Sequence, residues 1–153
     1  MNAAPNNVIL MAEDDADDRL LASDAFGEGE PDGELRFVEN GEELIDYLQR
    51  RGKYADECEA PRPKLIILDL NMPKKDGREV LRELRSEPDL RLIPVVVLTT
   101  SRADTDIATT YELGANSFIT KPVNYDELVR VMKILKEYWF GTVEVAGPRR
   151  PAL

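Results

Sequence analysis

Residues 65–69 read Leu65-Ile66-Ile67-Leu68-Asp69, an uninterrupted apolar run that ends in a carboxylate. A run this short and this uniformly apolar is typical of a parallel strand that is buried on both faces. A second run of the same kind, Val95-Val96-Val97-Leu98, follows Pro94 and precedes Thr99. Two such strands separated by a helical pattern predict a parallel sheet with helices on its faces.

The rest of the chain alternates in the same way between strand and helix patterns. Further strands are expected over residues 8–11, 35–38 and 117–119. The predicted helices cover residues 19–26, 42–51, a segment through Leu84 that stops near Pro88, 103–113 and 126–138. Each strand is followed by a helix, so we expect an α/β fold of the (βα)5 type. Right-handed crossovers favour a doubly wound parallel five-stranded sheet in the flavodoxin-like order 2-1-3-4-5.

Composition excludes several classes of function. The 20 basic and 30 acidic residues give a formal charge of −10, which argues against direct DNA binding. The absence of histidine excludes His-based catalysis and His-ligated zinc, and the lone Cys58 excludes an intramolecular disulfide. No apolar stretch is long enough for a membrane span, so we expect a cytoplasmic protein of 153 residues with one main domain.

Polar side chains follow four of the five predicted strands. Glu13 and Asp14 follow the first strand, Asp69 the third, Thr99 the fourth and Lys121 the fifth. In the order 2-1-3-4-5 these four strands are neighbours, and parallel sheets bind their ligands at the carboxyl ends of the strands. We therefore expect these side chains to converge on one edge of the sheet.

The expected cluster has the chemistry of a magnesium and phosphoryl site. Three carboxylates in one pocket repel each other, and a bound cation removes that repulsion. Their hard oxygen ligands favour Mg2+ over zinc or copper. Lys121 and Thr99 add a positive charge and a hydroxyl donor, which suit a charged phosphoryl group. Among the residues present, a carboxylate is the plausible nucleophile, and it would form an aspartyl phosphate.

Four separated segments resemble the receiver domain of two-component response regulators, in the right order and at compatible spacing. They are Val8-Ile9-Leu10-Met11-Ala12-Glu13-Asp14, Leu68-Asp69-Leu70-Asn71-Met72-Pro73-Lys74-Lys75-Asp76-Gly77, Val97-Leu98-Thr99-Thr100-Ser101 and Phe118-Ile119-Thr120-Lys121-Pro122. The resemblance covers residues 7–138 and implies the flavodoxin-like receiver fold. It also implies a signalling protein, not an enzyme, that accepts a phosphoryl group from a sensor histidine kinase.

The resemblance implies a role for each matching acidic position. Asp69 would be the phosphoacceptor, and Asp14 would bind Mg2+ directly. Glu13 would act as the partner acid, often through water, and the Asn71 carbonyl would be a further ligand. Asp69 would itself contribute to the metal site.

The resemblance also implies a switch. Thr99 and Lys121 would contact the phosphoryl oxygens, and Phe118 stands where the family has an aromatic that changes rotamer with the threonine. Two positions depart from the family pattern. Glu13 replaces the commoner aspartate, and Thr100 is bulkier than the usual alanine or glycine, which could alter the lifetime of the phosphorylated form.

Three features look closest to stand-alone regulators paired with bacterial and cyanobacterial phytochromes. These features are the longer loop before the third strand, the turn Lys74-Lys75-Asp76-Gly77 and the ending Glu137-Tyr138-Trp139-Phe140. The resemblance therefore suggests a bacteriophytochrome as the cognate kinase.

The C-terminal residues bear on how a phosphorylation signal would reach another protein. We expect a receiver domain over residues 1–140 and a C-terminal tail over 141–153, too short for an effector domain. The segment Thr142-Val143-Glu144-Val145 alternates like a short strand. One hypothesis is that Trp139 packs on its own domain; the other is that the tail acts as a dimerisation arm. Output would then be a change in homodimerisation or in binding to an unknown downstream protein.

Two other classes of function remain open on the sequence alone. A phosphohydrolase that forms an aspartyl phosphate typically has a second acid two residues after the nucleophile, where this chain has Asn71. A receiver-like binding module that is never phosphorylated usually lacks one of the key residues, and this chain has them all.

Overall fold

The computed structural model of the chain describes residues 7–28, 33–56, 60–101 and 103–147. It contains a five-stranded parallel sheet in the order β2-β1-β3-β4-β5, which confirms the predicted topology. The strands are β1 (Val8–Ala12), β2 (Glu34–Val38), β3 (Leu65–Leu68), β4 (Val95–Thr99) and β5 (Ser117–Thr120). Cys58 lies outside the described residues.

The strands alternate their side chains between two apolar clusters, one on each face of the sheet. Leu10, Ile66 and Val97 point into one cluster, and their neighbours Ile9 and Ile67 point into the other. Every residue of β1, β3 and β4 is buried, as expected of strands covered on both faces. β5 lies at an edge of the sheet and its residues are half-buried.

Five helices connect and cover the strands. They are α1 (Ala16–Phe26), α2 (Gly41–Gln49), α3 (Gly77–Ser86), α4 (Asp104–Glu112) and α5 (Tyr125–Lys136). The side chains of Asp15, Asn40, Asp76 and Asn124 accept backbone N–H groups at the starts of α1, α2, α3 and α5. These caps fix where each helix leaves the carboxyl edge of the sheet. None of the helices in the described part of the chain is long and apolar enough to cross a membrane.

The C-terminal segment differs from its prediction. α5 continues into a π-helical turn, Glu137–Thr142, and the residues from Val143 to Gly147 form no strand, so the predicted strand over 142–145 is wrong. The physical reason is that Trp139 and Phe140 pack against the apolar cluster between the sheet and α5. The Val143 N–H donates back to the Tyr138 carbonyl at 3.0 Å and does not join the sheet. The hypothesis that Trp139 packs on its own domain is confirmed.

Gly77 allows α3 to start directly beneath the end of β3. Its N–H donates to the Leu70 carbonyl at 3.0 Å. A Cβ at this position would lie 2.6 Å from the Asp69 carbonyl oxygen and 2.8 Å from the Leu70 Cα. Because both contacts are to backbone atoms, no side-chain rotation can relieve them. The glycine is therefore a condition for the position of Asp69.

We predict that Gly77→Ala lowers the free energy of unfolding by about 1–3 kcal/mol, the usual cost of overpacking a tight site. Urea denaturation followed by circular dichroism measures this difference. Gly27→Ala is the matched control, because its Cβ would meet its nearest atom at 3.5 Å and its φ is −69°. Equal stability of the two variants would contradict the argument.

Candidate functional site

The carboxyl ends of β1, β3, β4 and β5 meet at one edge, and backbone hydrogen bonds extend this edge beyond the strands. Ala12 pairs with Leu68, so Glu13 and Asp69 follow side by side. The Lys121 N–H donates to the carbonyl of the last residue of β4 at 2.8 Å. The position of each functional side chain is thus set by the sheet and not by a free loop.

Asp69 is 7% exposed, and both of its carboxylate oxygens have partners. Oδ1 accepts the Thr99 hydroxyl at 3.0 Å and the Asn71 N–H at 3.1 Å. Oδ2 accepts the Lys121 ammonium at 3.0 Å. Thr99 is itself fully buried, so its hydroxyl is held toward this carboxylate. The arrangement orients Asp69 from two sides at the floor of the site.

Lys121 is shared among three carboxylates. Its Nζ lies 2.5 Å from Glu13 Oε1 and 3.3 Å from Asp18 Oδ2, in addition to the contact with Asp69. Burial alone would lower the pKa of Lys121, but hydrogen bonds to Glu13 and Asp69 outweigh it and raise that pKa. The lysine is therefore a fixed positive charge at neutral pH.

Glu13 is 1% exposed, so its ionised carboxylate is removed from water, which disfavours the charged form. Burial raises the pKa of Glu13; the hydrogen bond and charge of Lys121 oppose this shift without cancelling it, and the nearby Asp69 adds to it. One ammonium does not neutralise the carboxylates around it. A divalent cation would relieve the remaining repulsion.

The acids form a group whose size fits one metal ion. Oxygens of Glu13, Asp14 and Asp69 all lie within 4.8 Å of one another. Two oxygens bound to one Mg2+ are separated by at most about 4.2 Å, twice the metal–oxygen distance, so the group meets around one ion with at most a small contraction. The donor set is all oxygen, as Mg2+ prefers.

Sequence comparison identifies the family. The profile of the response regulator receiver domain matches residues 9–133 of this chain. The chain belongs to the response regulator receiver family. As a receiver it takes part in two-component signalling, in which a histidine kinase supplies the phosphoryl group, and its acidic pocket is a Mg2+ site.

Individual relatives resemble the receiver over nearly its whole length. The response regulator Rcp1 of Synechocystis sp. is 42% identical over 139 residues, which cover 91% of this chain and 92% of Rcp1. The crystal structure of the phosphorylated cyanobacterial phytochrome response regulator RcpA superposes with a TM-score of 0.84 at 42% identity, covering 92% of this chain and 98% of that one. The Mn2+-bound form of Rcp1 gives a TM-score of 0.82 at 41% identity, covering 92% and 99%.

The receiver structure brings together the five side chains that the sequence predicts at the sheet edge: Glu13, Asp14, Asp69, Thr99 and Lys121. Their individual chemical roles stay predictions, as does that of the exposed Asn71 as a metal ligand through its carbonyl.

Phe118 and Thr100 lie at the margins of this group. Phe118 is half-buried on β5 opposite Val97, packs against the cluster that contains Val97, and donates its N–H to the Tyr111 hydroxyl at 3.2 Å. Thr100 is exposed directly after β4. A switching role for Phe118 and an effect of Thr100 on phosphoryl lifetime stay predictions.

Asp18 is the functional neighbour that sequence reasoning missed. The acidic stretch after β1 predicts helix capping, and Asp15 does cap α1. Asp18, however, directs its carboxylate to Lys121. Asp14 precedes the Asp15 cap and lies outside α1, so helical spacing gave no signal for this contact.

We predict that saturating Mg2+ stabilises the protein. At a Mg2+ concentration about 100 times the dissociation constant, linkage supplies about 2.7 kcal/mol, or a rise in Tm of about 5–10 °C for a domain of this size. Differential scanning fluorimetry with MgCl2 and with EDTA measures the shift.

Asp14→Asn should lose most of this shift, and Asp17→Asn should keep it. Both variants remove one exposed carboxylate near the start of α1, so they change the net charge equally. If Asp14→Asn shows the full Mg2+-dependent rise in Tm, the ion does not bind at this group of acids.

Proposed function

We propose that the chain is a single-domain response regulator whose phosphoacceptor is Asp69. The observation that carries this proposal is the doubly oriented, buried carboxylate of Asp69 beside the fixed charge of Lys121. The Thr99 hydroxyl and the Lys121 ammonium now donate to the two oxygens of Asp69, and they are placed to donate to phosphoryl oxygens instead. Thr99 and Lys121 would then stabilise the charge that the transferring group carries.

The chemistry is a phosphoryl transfer from phosphohistidine to carboxylate. An oxygen of Asp69 forms the new bond to phosphorus, while the bond between phosphorus and the donor imidazole nitrogen breaks and its electron pair stays on the imidazole. Lys121 and Thr99 donate hydrogen bonds to the phosphoryl oxygens in place of those they now give to Asp69. The protein catalyses its own phosphorylation and dephosphorylation and transforms no other substrate.

We propose different tasks for the individual metal ligands. Glu13 would act as the partner acid through water, while its Oε1 accepts the Lys121 ammonium and its Oε2 accepts the Asp15 N–H at 3.2 Å. Asp14 is exposed and would bind the ion directly, together with Asp69 and the carbonyl of Asn71. Bound Mg2+ supplies positive charge that offsets the charge of the phosphoryl oxygens.

The proposed phosphoryl donor is a sensor histidine kinase; the 153 residues of this chain contain no histidine. RcpA is a phytochrome response regulator from a cyanobacterium, and the similarity to it supports a phytochrome-type sensor histidine kinase as the cognate donor. The net charge of −10 favours a donor that presents a basic surface around its phosphohistidine. The proposed compartment is the cytoplasm.

The signal is passed on through a change in the contacts that the phosphorylated protein makes with another protein. Thr99 leaves Asp69 for the phosphoryl group, and the space that it vacates lets Phe118 change rotamer. The Phe118 N–H is hydrogen-bonded to the hydroxyl of Tyr111 on α4, an exposed side chain, so a change at β5 alters an accessible surface. A downstream protein or a second copy of the chain would read this surface.

The first prediction of this function concerns covalent labelling. Incubation with acetyl phosphate and Mg2+ should add one phosphoryl group to the wild-type protein, and Asp69→Asn should remain unlabelled because it lacks the nucleophilic carboxylate. Intact mass spectrometry measures the adduct, and EDTA should prevent it.

The alternatives predict different results in the same experiment. A binding module that is never phosphorylated would show no adduct with acetyl phosphate or with a phosphorylated histidine kinase. A phosphohydrolase would turn over generic phosphate esters steadily. Labelling of Asp69→Asn to the wild-type extent would show that another residue is the acceptor.

The proposed homodimer uses the tail over residues 141–153 as an arm beyond the receiver domain of residues 1–140. Trp139 and Phe140 pack against the apolar cluster between the sheet and α5, so truncation after Phe140 keeps both of these side chains. We predict that this truncation weakens dimerisation at least tenfold, measured by sedimentation velocity over a range of concentrations. An unchanged dimer constant would exclude the arm.

A further inference from the structure

The ammonium of Lys121 has three hydrogen-bond donors, and three different carboxylates accept them. Glu13 and Asp69 are buried beneath it, whereas the Asp18 side chain is 46% exposed at the rim. Among the residues that the structure describes, these are the acids within 4 Å of the ammonium. Lys121 therefore has two partners inside the site and one outside it.

The position of Asp18 is built into the start of α1. The Asp15 side chain caps the helix by accepting the N–H groups of Asp17 at 2.8 Å and Asp18 at 3.1 Å. This cap fixes the first turn of α1, and the Asp18 carboxylate on that turn reaches Lys121, which follows β5. The contact joins residues 103 positions apart in the chain, so it is set by the tertiary fold.

Asp18 differs from the other two partners in its relation to a cation. Glu13 and Asp69 belong to the group of oxygens that fits one metal ion, and Asp18 does not. Neutralisation of that group weakens the attraction of Glu13 and Asp69 for the ammonium and leaves Asp18 unchanged. In the state that accepts a phosphoryl group, Asp18 is thus the strongest competitor for Lys121.

We propose that Asp18 is a positioning residue that holds Lys121 toward the rim of the site and so slows phosphoryl transfer to Asp69. The inference rests on the proposed function of Asp69. The attraction of Asp18 opposes the shift of the ammonium from Asp69 to the incoming phosphoryl oxygens. The carboxylate of Asp18 therefore lowers the rate constant of phosphorylation.

The test compares two isosteric variants that change the net charge equally, Asp18→Asn and Asp17→Asn. Asp17 is exposed on the same helical turn, one residue away, and its backbone joins the same cap. With acetyl phosphate, an Asp69 oxygen bonds to phosphorus as acetate leaves with the electron pair of the broken bond. Intact mass spectrometry at intervals after mixing gives the rate constant.

We expect Asp18→Asn to raise this rate constant about threefold to fivefold over wild type, the size that a half-exposed ion pair supports. Asp17→Asn should stay within about twofold at physiological salt, because Asp17 is exposed and is not among the carboxylates that pair with Lys121, so water and salt screen its charge. Asp18→Glu, which keeps a carboxylate, should remain slower than Asp18→Asn. In a Lys121→Gln background, Asp18→Asn should change the rate no more than Asp17→Asn does.

A second measurement separates an effect on Lys121 from an effect on the metal. Isothermal titration calorimetry with MgCl2 should give the same dissociation constant for Asp18→Asn and Asp17→Asn. A markedly weaker affinity in Asp18→Asn alone would show that Asp18 acts on the ion, and it would overturn the proposal.

The remaining outcomes are also decisive. Equal rate constants for Asp18→Asn and Asp17→Asn would reduce the effect to net charge. A smaller rate constant for Asp18→Asn than for wild type would mean that Asp18 assists Lys121. Either result overturns the proposal that Asp18 slows phosphoryl transfer and leaves the proposed function of Asp69 intact. If the wild-type protein accepts no phosphoryl group from acetyl phosphate or from a phosphorylated kinase, the proposed function of Asp69 is wrong. The proposed role of Asp18 is then wrong as well.

Discussion

The parallel sheet gathers carboxylates at one edge, and a single ammonium compensates them. Glu13 and Asp69 are buried there because each follows a strand that is covered on both faces, and Asp14 and Asp18 lie just above. Lys121 reaches three of these four acids, and the pKa of Glu13 is nevertheless raised by its burial. The deficit of positive charge explains why the site fits a cation and why the lysine has competing partners.

The sheet and the convergence of the site could be predicted because they depend on local patterns. The run Leu65–Leu68 is apolar at every position, so it indicates a strand buried on both faces whatever surrounds it. Once the strand order follows from crossover rules, the residues after each strand must meet at one edge. Asp18 escaped prediction because its contact with Lys121 depends on how α1 lies across the sheet, which no periodicity encodes.

The C-terminal segment and the close packing at Gly77 also have tertiary causes. The alternation in Val143-Glu144-Val145 is typical of a strand, yet a strand needs a partner with free hydrogen-bonding groups, and packing of Trp139 and Phe140 carries the chain through a π-helical turn. Gly77 closes the turn Lys74-Lys75-Asp76-Gly77 named from the sequence, and it begins α3. Its additional role, the close approach to the Asp69 carbonyl, is visible only in the packed structure.

The two sides of the site differ in how readily they can respond to a change at Asp69. A shift of β1 or β3 would disturb close-packed side chains on both faces of the sheet. The segment after Thr99 is held differently, since Ser101 Oγ donates to Asp106 Oδ2 at 2.6 Å and Arg78 donates to Asp106 Oδ1 at 2.8 Å. These hydrogen bonds lower the pKa of Asp106 and lie where water can replace them. Under the proposed function, movement of Thr99 therefore passes to α4 and not into β1 or β3.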